Sequence, residues 1–174
     1  MASPPDNVDD RFHRLLREYG PAIERLASAY EPEPNEREDL MQETVFALWN
    51  ALPSFRGECS ERTFAFRIAQ NRGLTHRWRR RRRSNQLVDL NDVSEIVDPL
   101  TVDDSPPREF GRDELVAAVL RLQDLQRDVM VLSLEGLTNG EIADVMGISE
   151  GNVAVRLSRG RASLRAILTS GRRP

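Results

Sequence analysis

The chain has 174 residues, 39% hydrophobic and 6% aromatic, with a net charge of −3. That is enough for one ordinary domain or two small ones, with a core built mainly from Leu, Val, Ala and Ile. A lone cysteine, Cys59, excludes an intramolecular disulfide, and two distant histidines, His13 and His76, offer no metal-ligand set. Residues 1–10 lack an apolar signal core and no run of about 18 apolar residues occurs anywhere, so a soluble cytoplasmic protein without a membrane segment is expected.

The first periodic segment carries Phe12, Leu15, Leu16, Tyr19, Ile23, Leu26, Ala27 and Tyr30 at helical spacing, and Gly20-Pro21 predicts a division or kink within it. Glu31-Pro-Glu-Pro34 breaks the pattern. Asn35 is placed to cap a second helix, with Glu38 three residues on as in a capping box. That helix is expected to bury Met41, Val45, Leu48, Trp49 and Leu52 and to end at Pro53. Residues 54–60 read as a loop, and Ser60 can cap a third helix through Phe64, Ile68 and Leu74 into an arginine run. Residues 84–112, rich in Ser, Asp and Pro, read as a flexible acidic linker. Helical periodicity returns at Leu115, Val119 and Leu122, then at Leu125, Val129 and Leu132. No β alternation and no internal repeat is found, so the expected fold is all-α, two small helical domains at 8–83 and 113–168.

The modest negative charge alone argues against a nucleic-acid partner, but its distribution reverses that. Residues 1–55 hold 5 Arg against 11 Asp and Glu, residues 56–88 hold 10 against 2, residues 89–114 hold 2 against 9, and residues 115–174 hold 8 against 6. All 25 basic residues are Arg, the better bidentate partner for phosphate and guanine, although codon usage could produce the same bias.

The sharpest motif begins at Gly136. A short helix carrying Ile142, Ala143 and Met146 is followed by Gly147, suited to positive φ, by Ile148 in the angle, and by Ser149 as the cap of a second helix. Val153, Leu157 and Leu164 form the inner face of that helix. Arg156, Arg159, Arg161 and Arg165 flank its outer face and cannot all enter a core. An ordinary αα-hairpin would not need them; a helix-turn-helix seated in a major groove would.

Glu135-Gly-Leu-Thr, Glu141-Ile-Ala, Gly147-Ile-Ser, Val153, Arg156-Leu157 and Arg159-Gly-Arg161 together resemble region four of the sigma-70 family, which reads the minus-thirty-five promoter element. A LuxR-type regulator has a similar motif. Asp39-Leu-Met-Gln-Glu-Thr-Val-Phe46, Trp49, Leu52-Pro-Ser-Phe-Arg-Gly57, Arg62-Thr-Phe and Arg67-Ile-Ala-Gln-Asn71 resemble region two of the extracytoplasmic-function (ECF) branch, and a LuxR-type regulator would not carry these.

Asp39, Gln42, Glu43 and Phe46, at i, i+3, i+4 and i+7, share one helix face. A solvated face is the simplest account of it. The resemblance implies instead docking on the clamp helices of the largest subunit of core RNA polymerase, with region four on the flap and with an anti-sigma factor as regulator. It implies minus-ten contacts from Phe55, Arg56, Gly57, Arg62, Asn71, Arg77 and Arg80, with the loop taking up a flipped base. Asn71 suits base-edge reading, and equally suits a helix surface. Minus-thirty-five contacts fall to Ser149, Asn152, Ala154, Val155, Arg156, Ser158, Arg159 and Arg161. Departures from the family habit are Phe64 for Trp, Ala154 for Lys or Arg, and Leu132 for Arg. They shift base reading toward Asn152, Val155 and Ser158, with Arg156 and Arg159 on phosphates.

No nucleophile–base pair or phosphate-cradling glycine loop can be identified, so neither enzymatic activity nor a cofactor is expected. The alternatives are a stand-alone helix-turn-helix regulator that never engages polymerase, or an enzyme using Cys59. The linker, net −7 over residues 89–114, is expected to mimic nucleic acid in the polymerase or to shield the arginines.

Overall fold

The computed structural model describes residues 8–83 and 111–170. The linker expectation therefore lies almost wholly outside the described residues. Within them every regular element is helical: α1 (Val8–Tyr30), α2 (Pro34–Ala51) with a 3-10 turn at Leu52–Ser54, α3 (Glu61–Arg83), α4 (Arg112–Leu120), α5 (Asp124–Leu134), α6 (Asn139–Met146) and α7 (Glu150–Ser170).

α1 runs unbroken through Gly20-Pro21, against the expected division. Gly20 lacks the Cβ that normally collides with a following proline ring, which lowers the obstacle to helix at that step. Burial of Phe12, Leu15, Ile23, Leu26, Ala27 and Tyr30 on one face then outweighs the lost hydrogen bond.

α2 differs from expectation in two ways. Its N-cap is Glu33, with Pro34 at the first turn, so the Asn35–Glu38 capping box does not form. Its buried stripe is Leu40, Thr44, Leu48 and Leu52. Leu48 and Leu52 are buried as expected, but Leu40 and Thr44 take the places expected of Met41 and Val45, one position off, and Trp49 is exposed. Thr44 tolerates burial because its hydroxyl donates to the Leu40 carbonyl at 2.8 Å. One position is about 100° of helix rotation. That rotation leaves Met41 and Val45 half-buried and turns Trp49 and Phe46 outward, Phe46 to 68% exposure.

Ser60 caps α3 as expected, its Oγ accepting from the Thr63 N–H at 3.0 Å. The helix buries Thr63, Phe66, Ala69, Gln70, Gly73 and His76, whereas Phe64 and Ile68 are half-buried and Leu74 is exposed. α3 is central, packing on α1 and α2 and, on another side, on α6.

In the C-terminal half, Thr138 and Glu141 form a reciprocal capping box at the start of α6, and Gly147 ends it at φ 66°. The Ser149 Oγ accepts from the Asn152 N–H at 3.3 Å and so opens α7. Val153 and Leu157 are buried, with Leu164 and Ile148 partly so. The two halves do not stand apart. α1 packs on α5 and α3 on α6, and one apolar core runs through both.

Candidate nucleic-acid and protein interface

On α2, Asp39, Gln42 and Phe46 are exposed and lie together, with Glu43 half-buried beside them. Glu43 accepts from Arg79 Nη1 at 3.1 Å and 3.2 Å. A shallow groove lined by Asp39, Glu43, Trp78, Arg79 and Arg82 separates this face from the end of α3. The Arg82 guanidinium lies 4.4 Å from the Trp78 ring centroid. Trp78, half exposed, is therefore part of the same surface. Periodicity gave no hint of that, because the link is made across two helices.

The loop after α2 turns at Gly57, whose φ of 77° suits glycine. Arg56 and Gly57 are exposed, while Phe55 and the free thiol of Cys59 are half-buried. The Phe55 ring lies against Phe64, centroids 4.5 Å apart. Asn71 is exposed on α3, about three turns from the loop end of the helix.

The arginines expected to face DNA from α3 are mostly engaged elsewhere. Arg62 donates to the Glu135 carbonyl and Arg67 Nε to the Asp144 carbonyl at 3.0 Å. These carbonyls belong to the C-terminal ends of α5 and α6, where a cation is favoured. Arg77 grips both carboxylate oxygens of Asp128, at 3.0 Å and 2.8 Å, and lies 4.8 Å from the Tyr30 ring centroid. Arg81 pairs with Asp124, and Arg25 of α1 with Glu135 at 2.6 Å. Arg80 binds Glu31.

α7 presents a different surface. Asn152, Val155 and Arg159 make one exposed row, and Ala154, Ser158 and Arg161 the next, with Arg156 half-buried at their edge. Ser149 is exposed at the helix start. Among the described residues no cluster of His, Cys, Asp and Glu could hold a metal, and no helix is long and apolar enough to cross a membrane.

Comparison with known families matches residues 15–84 to Sigma-70 region 2 and residues 112–164 to Sigma-70, region 4. RNA polymerase sigma factor CnrH of Cupriavidus metallidurans is 32% identical over 168 residues, covering 90% of this chain and 86% of that protein. The chain belongs to the sigma-70 family, in its ECF branch. ECF RNA polymerase sigma factor SigG of Mycobacterium tuberculosis is 34% identical over 158 residues, covering 78% of this chain. The chain spans only 43% of the length of SigG. Among solved structures, that of CnrH in complex with the cytosolic domain of CnrY matches at a TM-score of 0.65 and 25% identity, covering 91% of this chain and 88% of that one. The sigma factor RpoE, solved with the anti-sigma factor NepR from Bartonella quintana, has the same fold, with a TM-score of 0.72 at 22% identity over 93% of this chain and 99% of that one.

Two features of this sigma-70 family member follow from its own packing. Leu132, at a position where arginine is common in the family, is fully buried in α5, so it belongs to the core. Glu31, between α1 and α2, is also buried. It accepts from the Glu33 N–H at 3.0 Å, lies 3.0 Å from His76 Nε2 and binds Arg80. Burial pushes its carboxyl up, but those three partners outweigh burial and hold it below the usual glutamate range. A depressed folded pKa adds stability above the unfolded value and loses it as pH falls through the folded one. The wild-type Tm is therefore expected to fall more steeply than that of Glu31→Gln in the acid range below the ordinary glutamate value. Thermal melts across that window would measure the difference, and parallel curves would refute it.

Proposed function

We propose that the chain is an ECF sigma factor that binds core RNA polymerase, directs it to two-part promoters and helps open the minus-ten element. The observation that carries this is the presence, in one chain, of an acidic α2 face with Phe46 turned out to solvent and a helix-turn-helix whose α7 face is open. The first suits a basic protein partner with an apolar anchor, the second a major groove.

In this reading residues 8–83 dock on the polymerase clamp helices through Asp39, Gln42, Glu43 and Phe46, and 113–168 sit near the flap. Residues 84–112 link them. Loop residues Phe55, Arg56 and Gly57, with Arg62, Asn71, Arg77 and Arg80, serve the minus-ten element. Ser149, Asn152, Ala154, Val155, Arg156, Ser158, Arg159 and Arg161 serve the minus-thirty-five element. The polymerase makes the transcript in the cytoplasm; this chain supplies specificity and no catalytic group. A protein antagonist of the kind bound by RpoE would act on the same surfaces.

The two elements lie about 25 base pairs apart, roughly 85 Å at ~3.4 Å per base pair. Here α3 touches α6 directly, and Arg62, Arg67 and Arg77 are committed to the C-terminal half. The halves must separate for both to lie on one promoter.

Run-off transcription with core polymerase tests the reading. Wild-type protein should co-purify with core and yield discrete start sites, and Asp39→Lys with Glu43→Lys should lose core binding by about tenfold or more while remaining helical. A wild-type protein that binds duplex DNA but not core polymerase would instead be a stand-alone regulator.

A further inference from the structure

We infer that Arg11 is a positioning residue of the minus-ten loop, clamping its entry and its exit from α1; this rests on the function proposed above. The loop enters at Phe55, whose N–H donates to the Leu52 carbonyl at 3.1 Å, and leaves at Glu61, the first residue of α3. One guanidinium reaches both ends. Arg11 Nε donates to Glu61 Oε1 at 2.6 Å, and the Arg11 Cζ lies 5.0 Å from the Phe55 ring centroid.

Other contacts stiffen the same two anchors. Phe55 packs on Phe64, Arg14 approaches Glu61 at 3.5 Å, and the Ser60 hydroxyl lies 2.9 Å from that of Thr63. Between Phe55 and the capping Ser60 stand only Arg56, Gly57, Glu58 and Cys59, turning at Gly57. A four-residue tip held at both ends loses little further entropy when it closes on an unstacked base. Phe55, already seated on Phe64 and Arg11, then acts as the wall behind the tip. Base contacts fall to the tip itself.

The arrangement separates two kinds of binding. Capturing an unstacked base needs the ordered tip, whereas docking on polymerase and seating α7 in duplex do not. Holoenzyme made with Arg11→Ala should bind a promoter fragment pre-melted over the minus-ten element about tenfold more weakly, from loss of the ring contact and the charged hydrogen bond together. Its affinity for core polymerase, and for a duplex fragment carrying the minus-thirty-five element alone, should not change. Arg11→Lys keeps a cation that can meet both groups and should recover most of the loss. Glu61→Gln should show an intermediate defect.

Equal weakening on the pre-melted fragment and the minus-thirty-five duplex would make Arg11 a general structural brace and overturn the inference. So would an unaltered preference for the pre-melted fragment. A wild-type holoenzyme with no promoter preference on any fragment would instead defeat the proposed function, so the two failures are distinguishable.

Discussion

Asp128→Ala is expected to loosen the two halves from each other, lowering stability and raising the affinity of the free protein for DNA. Asp128 is 1% exposed and its partner Arg77 only 12% at the side chain. Burial pushes the Asp128 carboxyl up, and the paired hydrogen bonds from Arg77 offset only part of that. Removing the carboxylate leaves a buried guanidinium with Asp124, 3.5 Å from its Nε and already shared with Arg81 and Arg127. Truncating one member of a buried pair costs about 3 kcal/mol or more. For a chain of this size that corresponds to a Tm lower by roughly 6–12 °C. Arg77 and Arg81 would then be available to phosphates, each steepening the dependence of log K on log salt by about 0.9. Replacing both partners with apolar residues, Arg77→Met with Asp128→Leu, should restore the Tm without the full gain in DNA affinity. Melts and fluorescence anisotropy over a salt series measure both arms, and no change in either would mean that the pair does not hold the halves together.

What was legible in the sequence is what is decided locally. Ser60, Gly147 and Ser149 act on groups within three residues, through a cap or a positive φ, and the structure places all three in their expected roles. Leu48 and Leu52 of the α2 stripe are legible, but its first half reads one position off because hydropathy ranks Val45 above Thr44, whose burial is made tolerable by the internal hydrogen bond to Leu40. Gly20-Pro21 reads as a division or kink because a proline is legible locally; the tertiary burial that carries α1 across it without a division is not. The arginine run was legible as charge but not as a set of partners. Arg77 finds Asp128 51 residues away, and Arg67 finds the Asp144 carbonyl 77 residues away. No spacing rule reaches that far, so packing of the two halves entered only with the structure. For the same reason no local signal marks Arg11: its partners Phe55 and Glu61 lie beyond α2 in sequence.

Gly73→Ala should be among the most damaging single methyl additions in the chain. A Cβ built at Gly73 falls 2.4 Å from Cδ2 and 2.6 Å from Cε2 of Tyr30, so the ring must move. It has little room, being 3% exposed and bounded by the Arg77 guanidinium. Alanine gains up to about 1 kcal/mol in helix propensity. Overpacking a rigid ring costs about 1–3 kcal/mol or more, and the loss of the Arg77 stack adds to it. The net expectation is a destabilisation of about 2 kcal/mol, a Tm lower by roughly 4–8 °C. Gly160→Ala is the contrast. Its added methyl would meet the Met130 Cε at 3.0 Å, the free end of a flexible side chain, so helix propensity should nearly balance the crowding. Gly73 also lies one turn before Arg77, and displacing Tyr30 unseats the residue that holds Asp128. The Gly73→Ala and Asp128→Ala losses should therefore fall short of additivity by more than about 0.5 kcal/mol. Strict additivity in a double-mutant cycle would mean that the Tyr30 wall and the Arg77–Asp128 pair hold independently.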